Sequence, residues 1–133
     1  MPWQPAPLIY PDVDLLVTTR LRTLLVAEAG LFVSNAIPTT QAGGRRARMV
    51  IVNRDGGNVA DLTDRARVRV RVWDQTAQKT TDLARKVIAL MPRLVDGAPV
   101  VRVQHLSGPI EIPDPSGEQC YLLFELHTSG AIA

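Results

Sequence analysis

The sequence predicts a two-layer α+β domain, with two amphipathic helices on one face of a mostly antiparallel or mixed sheet of about five strands. Two segments carry apolar residues at helical spacing, and residues 65–73 alternate between apolar and charged side chains. The remaining apolar segments are short and are separated by stretches rich in glycine and proline. With 133 residues we expect one domain, 1–133, and no internal repeat is visible.

The first predicted elements are an extended arm and a helix. Residues 1–10 hold three prolines, which favour extended backbone. Pro11-Asp12-Val13-Asp14 opens the helix, because proline suits a first helical turn and acidic side chains there complement the helix dipole. Gly30 is expected to stop the helix in a left-handed conformation. Its apolar stripe is Val13, Leu16, Val17, Leu21, Leu24 and Leu25.

Three strands are expected next. Residues 31–37 form the first strand, which Pro38 ends, and residues 38–46 form a loop because they contain two glycines and no periodicity. Residues 47–52 form the second strand, and Asn53-Arg-Asp-Gly-Gly-Asn58 has the composition of a tight hairpin turn. Residues 59–64 are then irregular or continue that turn. In the third strand, residues 65–73, the sequence places Ala66, Val68, Val70 and Val72 on one face, and Arg65, Arg67, Arg69 and Arg71, the arginine row, on the other.

A helix and two strands complete the prediction. Asp74 is expected to cap a helix over about residues 75–91. A turn at residues 96–99 precedes a strand over 100–106, and the three prolines of residues 107–117 indicate a long rigid loop. The last strand, 120–127, has apolar residues on both faces and is placed centrally, and residues 128–133 form a tail. The inner stripe of the second helix is Ala77, Thr80, Ala84, Val87, Ile88 and Met91.

Charge is distributed unevenly along the chain. Thirteen of the fifteen basic residues are arginine, although the net charge is only +2. Residues 45–71 hold eight arginines and three aspartates, so this stretch is positive and the remainder is negative. An arginine-rich but soluble surface explains such a composition, and so does one positive face that contacts a partner.

The residues that could carry enzyme chemistry are few. Neither Gly43-Gly44 nor Gly56-Gly57 lies in a phosphate-loop context. Cys120 alternates with apolar residues and is expected to be a buried thiol, and a single cysteine excludes a disulfide framework. The soft metal ligands, His105, Cys120 and His127, match no zinc-binding spacing. We therefore expect no catalytic residues, no metal and no cofactor.

Two further classes to consider are membrane proteins and nucleic-acid-binding proteins. No apolar run approaches the 18–20 residues of a membrane span, and the N-terminal residues lack the pattern of a secretion signal, so a reducing cytosolic setting is expected. The arginine row spans roughly 20 Å, which is comparable to a phosphate track. However, the strand carries no interleaved aromatic residues for base stacking, and the chain has only six aromatic residues.

The order and length of these elements resemble the tail terminator (tail completion) proteins of long-tailed bacteriophages, particularly those that infect actinobacteria. The resemblance covers about residues 11–128 and includes no catalytic signature. It lies in Pro11-Asp-Val-Asp-Leu15, Val33-Ser-Asn-Ala-Ile-Pro38, Arg48-Met-Val-Ile-Val-Asn-Arg-Asp-Gly-Gly57, Asp61-Leu-Thr-Asp-Arg-Ala-Arg-Val68, Val72-Trp-Asp74, Thr81-Asp-Leu-Ala84 and Gly108-Pro109.

The resemblance implies a structural virion protein that is not an enzyme. Such proteins form a ring, typically a hexamer, on the last ring of the tail tube, where they stop tube polymerisation and provide a docking surface for the head. The implied partners are further copies of the chain, the major tail protein and the neck or connector proteins. DNA would pass through the channel without specific binding. The implied location is the tail–neck junction of the virion, and the host cytoplasm during assembly.

We assign two groups of residues to this role as hypotheses. The arginine row of one subunit is expected to meet acidic residues of the next, because charge-assisted pairs would set the register of the ring. The competing placement, along the channel, would attract the passing DNA. The acidic partners are Glu111, Asp114, Glu118 and Glu125. The residues expected to reach the tube or the connector are Thr39, Gln41, Arg45, Arg46, Arg54, Asp55, Ile110 and Ile112.

Two other functions remain open from the sequence. A head–tail connector or head-completion protein would also form a ring, but on the portal rather than on the tube. A small nucleic-acid-binding domain would instead use the arginine row for phosphates.

Overall fold

The computed structural model describes residues 7–37, 48–95, 97–112 and 118–132. Two helices and seven strands are formed within these ranges, and the α+β class is confirmed. A short 3₁₀ segment, Met91–Val95, extends the second helix. In chain order the elements are β1 Leu8–Ile9, α1 Val13–Leu24, β2 Phe32–Ser34, β3 Met49–Ala60, β4 Thr63–Asp74, α2 Ala77–Leu90, β5 Val100–Ile112, β6 Glu118–Ser129 and β7 Ala131–Ile132.

The main sheet has five strands in the order β2-β3-β4-β6-β5. Strand β2 is parallel to β3, and the other neighbouring strands are antiparallel, so the sheet is mixed. The last long strand, β6, lies between β4 and β5, which confirms its predicted central position. Strands β1 and β7 form a separate two-stranded pair, so residues 131–132 belong to a strand and not to the predicted tail.

Both helices pack on one face of the main sheet, as predicted. Alternate residues of β4 are fully buried on this face, including Val68 and Val70. Leu21 of α1 and Val87 of α2 belong to the same apolar core. On the other face, a smaller cluster of Met49, Ile51 and Trp73, with Phe32 and Ile37 packed against it, covers the β2 side of the sheet.

The helix ends differ from the prediction in two places. Asp12, within the segment expected to open α1, caps the helix, since its Oδ1 accepts from the backbone N–H of Leu15. That helix ends at Leu24, well before Gly30, whose positive φ of 70° belongs to the turn that enters β2. Thr76 rather than Asp74 caps α2, and its hydroxyl accepts from the N–H of Lys79.

The inner stripe of α2 is only partly as predicted. Thr80, Ala84 and Val87 are buried, but Ala77 in the first turn is exposed. Leu83, which was not assigned to the stripe, is 3% exposed and completes the i, i+3, i+4 pattern that follows from Thr80.

The predicted hairpin turn at residues 53–58 is wrong. Strand β3 continues to Ala60, and the turn consists of Asp61 and Leu62, which both have positive φ. Gly56 and Gly57 instead form a β-bulge, because the register between β3 and β4 shifts at this point. Glycine is required there, since a Cβ at Gly57 would lie 2.1 Å from the carbonyl oxygen of Arg65.

The predicted loop at 107–117 is also wrong for its first six residues. Strand β5 extends to Ile112 through three irregularities in its pairing with β6. Gly108 has a positive φ of 98° and would bring a Cβ within 2.4 Å of the Tyr121 carbonyl oxygen. Because β5 is an edge strand, the missing N–H of Pro109 is tolerated. Residues 113–117 lie outside the described residues.

Candidate binding face of the sheet

The arginine row lies on the sheet face opposite the helices, as the alternation predicts. Its intervening residues, from Ala66 to Val72, are fully buried against the helices. Arg67 is exposed, and the other three arginines are half-buried. Within the described ranges no helix packs on this side, which we call the open face.

Strand β6 supplies the neighbours of the row. In register order, Arg65 pairs with His127, Arg67 with Glu125, Arg69 with Leu123 and Arg71 with Tyr121. Cross-strand partners in an antiparallel sheet have their Cβ atoms about 5 Å apart on the same face. The open face therefore mixes guanidinium groups with a carboxylate, an imidazole and two partly exposed apolar or aromatic side chains.

Strand β5 adds a fifth arginine to this face, which alternation within β4 does not predict. Arg102 is exposed and pairs with His127, on the far side of β6 from Arg65. Gln104 pairs with Glu125 and extends the same row of polar side chains. The side that Arg102 faces depends on the pairing irregularity between Val100 and Arg102, so period-two alternation along the sequence could not reveal it.

Two members of the row have polar partners within the chain. The guanidinium of Arg65 lies 3.2 Å from the Asp61 carboxylate, which is exposed. Arg71 donates to the side-chain oxygen of Asn53 at 3.1 Å, and its guanidinium carbon lies 5.5 Å from the centre of the Trp73 ring. Stacking of a cation on an aromatic face holds Arg71 close to the sheet.

The remaining arginines of the open face have no anionic partner in the described part of the chain. Neither Arg67, Arg69 nor Arg102 forms an ion pair there. Glu125 lies opposite Arg67, and its Oε1 is 2.7 Å from Nε2 of His127, which engages it. The Nε of Arg69 is buried and finds no hydrogen-bond partner among the described atoms. The face is therefore strongly positive and sparsely neutralised.

The structure does not bring the predicted acidic partners together. Glu125 lies on the open face itself, beside Arg67 of the same chain. Glu111 pairs with Cys120 and is exposed on the side of the helices. Asp114 and the side chain of Glu118 lie outside the described residues, so an intersubunit contact through these four acids stays a prediction.

The predicted contact residues fall into three groups. Thr39, Gln41, Arg45 and Arg46 lie outside the described residues. Ile110 and Ile112 are 45% and 39% exposed and lie on the open face, near the end of β5. Asp55 is exposed on β3, so it does not lie in a loop as expected.

Arg54 is likewise in strand β3, and its side chain is engaged within the fold. Its two terminal nitrogens each lie 2.7 Å from an oxygen of Asp64, whose side chain is buried. Its backbone N–H donates to Asp14 of α1 at 2.5 Å. The Asp64 carboxylate raises the pKa of Arg54 above its ordinary value. This residue therefore joins the β3–β4 hairpin to α1.

A second charged cluster lies beside α2, around a cleft of about 370 Å³. Arg48 bridges Asp74 at 3.1 Å and Glu28 at 3.0 Å, and Lys86 is also paired with Glu28. Hydrogen bonds from Lys86 and then Arg48 hold the pKa of Glu28 below its ordinary value, and Glu28 raises that of Arg48. Charges here neutralise one another, which indicates a structural role.

The residues weighed as metal ligands are dispersed. Cys120 is buried, whereas the His105 ring packs 5.2 Å from that of Phe124, and His127 is on the open face. Among the residues that the structure describes, no three histidine, cysteine, aspartate or glutamate side chains group as a metal site. The described helices are also all too short or too polar to cross a membrane.

Comparisons with known proteins add no further identification. Neither a scan against protein-family models nor a search of the curated proteins finds a match.

Proposed function

We propose that this chain is a structural virion protein of the tail terminator type. Copies of it assemble into a ring at the head-proximal end of the tail tube, stop tube polymerisation and offer a docking surface to the head. The observation that supports this most is the open face, because a five-stranded sheet on which the described helices cover one side leaves a large surface for contacts with other components of a virion.

The mechanism is the blocking of a growing end by complementary surfaces. A contact between two different surfaces of identical subunits closes into a ring when the rotation between them divides a full turn. The tube end is then occupied by a protein that presents no surface for another tube subunit. No bond is made or broken, and no cofactor enters the mechanism.

Exposed apolar residues at both ends of the sheet suit contacts above and below such a ring. Val59 and Leu62, at the β3–β4 turn, are 53% and 74% exposed. Ile110 and Ile112 lie near the opposite end. They pair with the first residues of β6, which in turn pair with the last residues of β4. Twelve strand residues separate the two ends by roughly 40 Å.

The proposal is tested by assembly in solution. Sedimentation and native mass spectrometry of the purified chain are expected to show a closed ring, which should join isolated tail tubes. Tails grown without the protein should be irregular in length. A monomer at high concentration that does not join tubes would contradict the proposal.

Whether the arginine row forms the contact between subunits is tested separately. If it forms the subunit contact, the variant Arg67→Ala plus Arg69→Ala should dissociate the ring. A ring that persists in this variant removes the arginine contact but leaves the terminator proposal intact.

A head–tail connector or head-completion protein is the second candidate, since the same open face would serve a ring on the portal. Co-purification from a head-defective infection separates the two. A terminator should remain with the tails, whereas a connector should not.

A further inference from the structure

We propose that the open face binds the sugar–phosphate backbone of duplex DNA, without regard to base sequence. The contacts would be made by the arginine row and by Arg102. The inference rests on the proposed function and adds that DNA passing through the ring contacts this face, without any base specificity. It can nevertheless be tested on the isolated chain.

The spacing of the arginines fits a polyphosphate. Successive members of the row are two residues apart on one strand, which places them about 6.8 Å apart. That distance is twice the 3.4 Å rise per phosphate along one strand of a duplex. Arg102 lies two strands away from Arg65, about 10 Å to the side, so the positive surface has breadth as well as length.

The described acidic side chains of the chain do not complement this face. Glu125 is the one carboxylate that the described strands place among the five arginines, and His127 already engages it. A second copy would have to supply the missing acids, but in the described part of the chain only Asp55 and Glu111 have no hydrogen bond or ion pair. Those engaged internally are Asp12, Asp14, Glu28, Asp61, Asp64, Asp74 and Asp82.

Burial of the inner part of the side chain constrains two arginines of the row. The Nε atoms of Arg65 and Arg69 are buried and have no hydrogen-bond partner among the described atoms, so the inner parts of these side chains are packed against the sheet. The terminal nitrogens of Arg69 have no described acceptor. A planar fork held in this way suits the oxygens of a phosphate.

The aromatic content of the face favours a duplex over a single strand. Trp73 is only 2% exposed and lies beneath the guanidinium of Arg71. Tyr121 is half-buried, which leaves no series of exposed rings on which successive bases could stack. Contact with a continuous phosphate backbone requires none.

The test uses fluorescence anisotropy with labelled 20-base-pair duplexes of two unrelated sequences. Five phosphate contacts give a slope of about −4.5 in log K against log salt concentration, so affinity should fall on the order of 500-fold between 50 and 200 mM salt. Both sequences should bind equally, and a single strand of the same length should bind less tightly.

Three paired variants locate the contact. Arg67→Ala plus Arg69→Ala should weaken binding at 50 mM salt at least about 10-fold and reduce the slope by about 2. Arg67→Lys plus Arg69→Lys keeps the charge and should retain most of the slope. Arg85→Ala plus Arg93→Ala removes the same charge from exposed positions in and after α2, and should leave binding close to wild type.

Several outcomes would overturn the inference. The first is no DNA binding at 50 mM salt, and the second is an equal loss of affinity in the two alanine pairs. The third is displacement of DNA by polyglutamate at equal charge concentration, which would indicate that the natural partner of the face is an acidic protein. Sedimentation in the same buffers separates this inference from the ring. If the Arg67/Arg69 alanine pair dissociates the ring without changing DNA affinity, the face is a subunit contact. If the chain is a monomer and still binds DNA with the expected salt dependence, the ring proposal is contradicted and the DNA-binding inference is supported.

Discussion

Arg54 of β3 and Asp64 of β4 form a two-point ion pair that links the two strands of the hairpin, and the backbone N–H of Arg54 donates to Asp14 of α1. Asp64 is 2% exposed, and both of its oxygens accept from the guanidinium. A buried carboxylate of this kind stabilises the fold chiefly because its removal would leave a charged donor without a partner.

Replacement of Asp64 should therefore destabilise the chain. We expect Asp64→Ala to lower the free energy of unfolding by about 2 kcal/mol, the range for hydrogen bonds to charged groups. Urea unfolding followed by circular dichroism measures the change. Asp55→Ala, at an exposed carboxylate with no described contact, is the control and should stay within about 0.5 kcal/mol of wild type. Equal midpoints for both variants would show that the ion pair does not stabilise the fold.

Glu28 gives the stability a dependence on pH. Its carboxyl pKa is lowered from 4.5 by Lys86 and Arg48. A carboxylate whose pKa is depressed in the folded state stabilises it above the unfolded-state pKa, and this stabilisation is lost as pH falls through the folded-state value. Stability should therefore decline below about pH 4.5, and Glu28→Gln should flatten part of that decline and lower stability at pH 6. Parallel curves for wild type and variant between pH 3 and pH 6 would contradict this.

At the scale of elements, the Gly56-Gly57 bulge sets the positions of the first arginines of the row. The register shift lies between Arg54 and Gly57, directly opposite Ala66 and Val68 of β4. A bulge adds one residue to one strand and increases the local twist. The bulge therefore fixes how Arg65 and Arg67 are oriented relative to the rest of the open face.

The two glycines should respond differently to a side chain. Gly57→Ala places a Cβ 2.1 Å from the Arg65 carbonyl oxygen, so the strands must separate, and we expect a loss of about 3 kcal/mol or more. Gly56→Ala meets no atom within 4 Å and suffers only from its positive φ, at a cost of about 1–2 kcal/mol. Thermal unfolding measures both variants, and an equal or reversed order would show that the bulge can rearrange.

An element could be predicted from the sequence when its pattern lies within a few consecutive residues. Strand β4 and the N-terminus of α1 were predicted correctly, because alternation and an acidic cap are read within a few residues. The β3–β4 turn was misplaced because a glycine pair suits a bulge as well as a turn, and Asp61-Leu62 lacks the usual turn composition. The end of β5 was missed because prolines on an edge strand resemble those of a loop.

The candidate site was predictable only in part for a similar reason. The arginine row follows from alternation within one strand. Its neighbours, Arg102 and Glu125, depend on the order and register of strands that are distant in sequence. The sequence alone predicts that Glu125 contacts another subunit, but the register places it beside Arg67 of its own chain.

At the scale of the whole molecule, the sheet presents two distant apolar ends and one charged face. In the proposed ring, the ends would meet the tube and the connector, while the charged face would meet DNA. These contacts are physically separate, since about 40 Å of strand lies between Leu62 and the far end of β4. Changes at the two ends should consequently have independent effects.

Charged substitutions at the two ends test this separation. Leu62→Asp and Ile110→Asp both replace exposed apolar residues, so each variant should fold and form a ring. One of them is expected to abolish joining to tail tubes and the other to abolish joining to heads, as measured by electron microscopy of mixed components. If both variants lose the same junction, the two ends do not face opposite partners.

Strands β1 and β7 hold Leu8 beside Ile132, and this proximity permits a circular permutation of the described chain. A short peptide could connect these two positions, and new termini could be opened within the exposed Asp61–Leu62 turn. Such a circular permutant would preserve the order of strands in space while it carries any attached label from the β1–β7 ribbon to the hairpin tip.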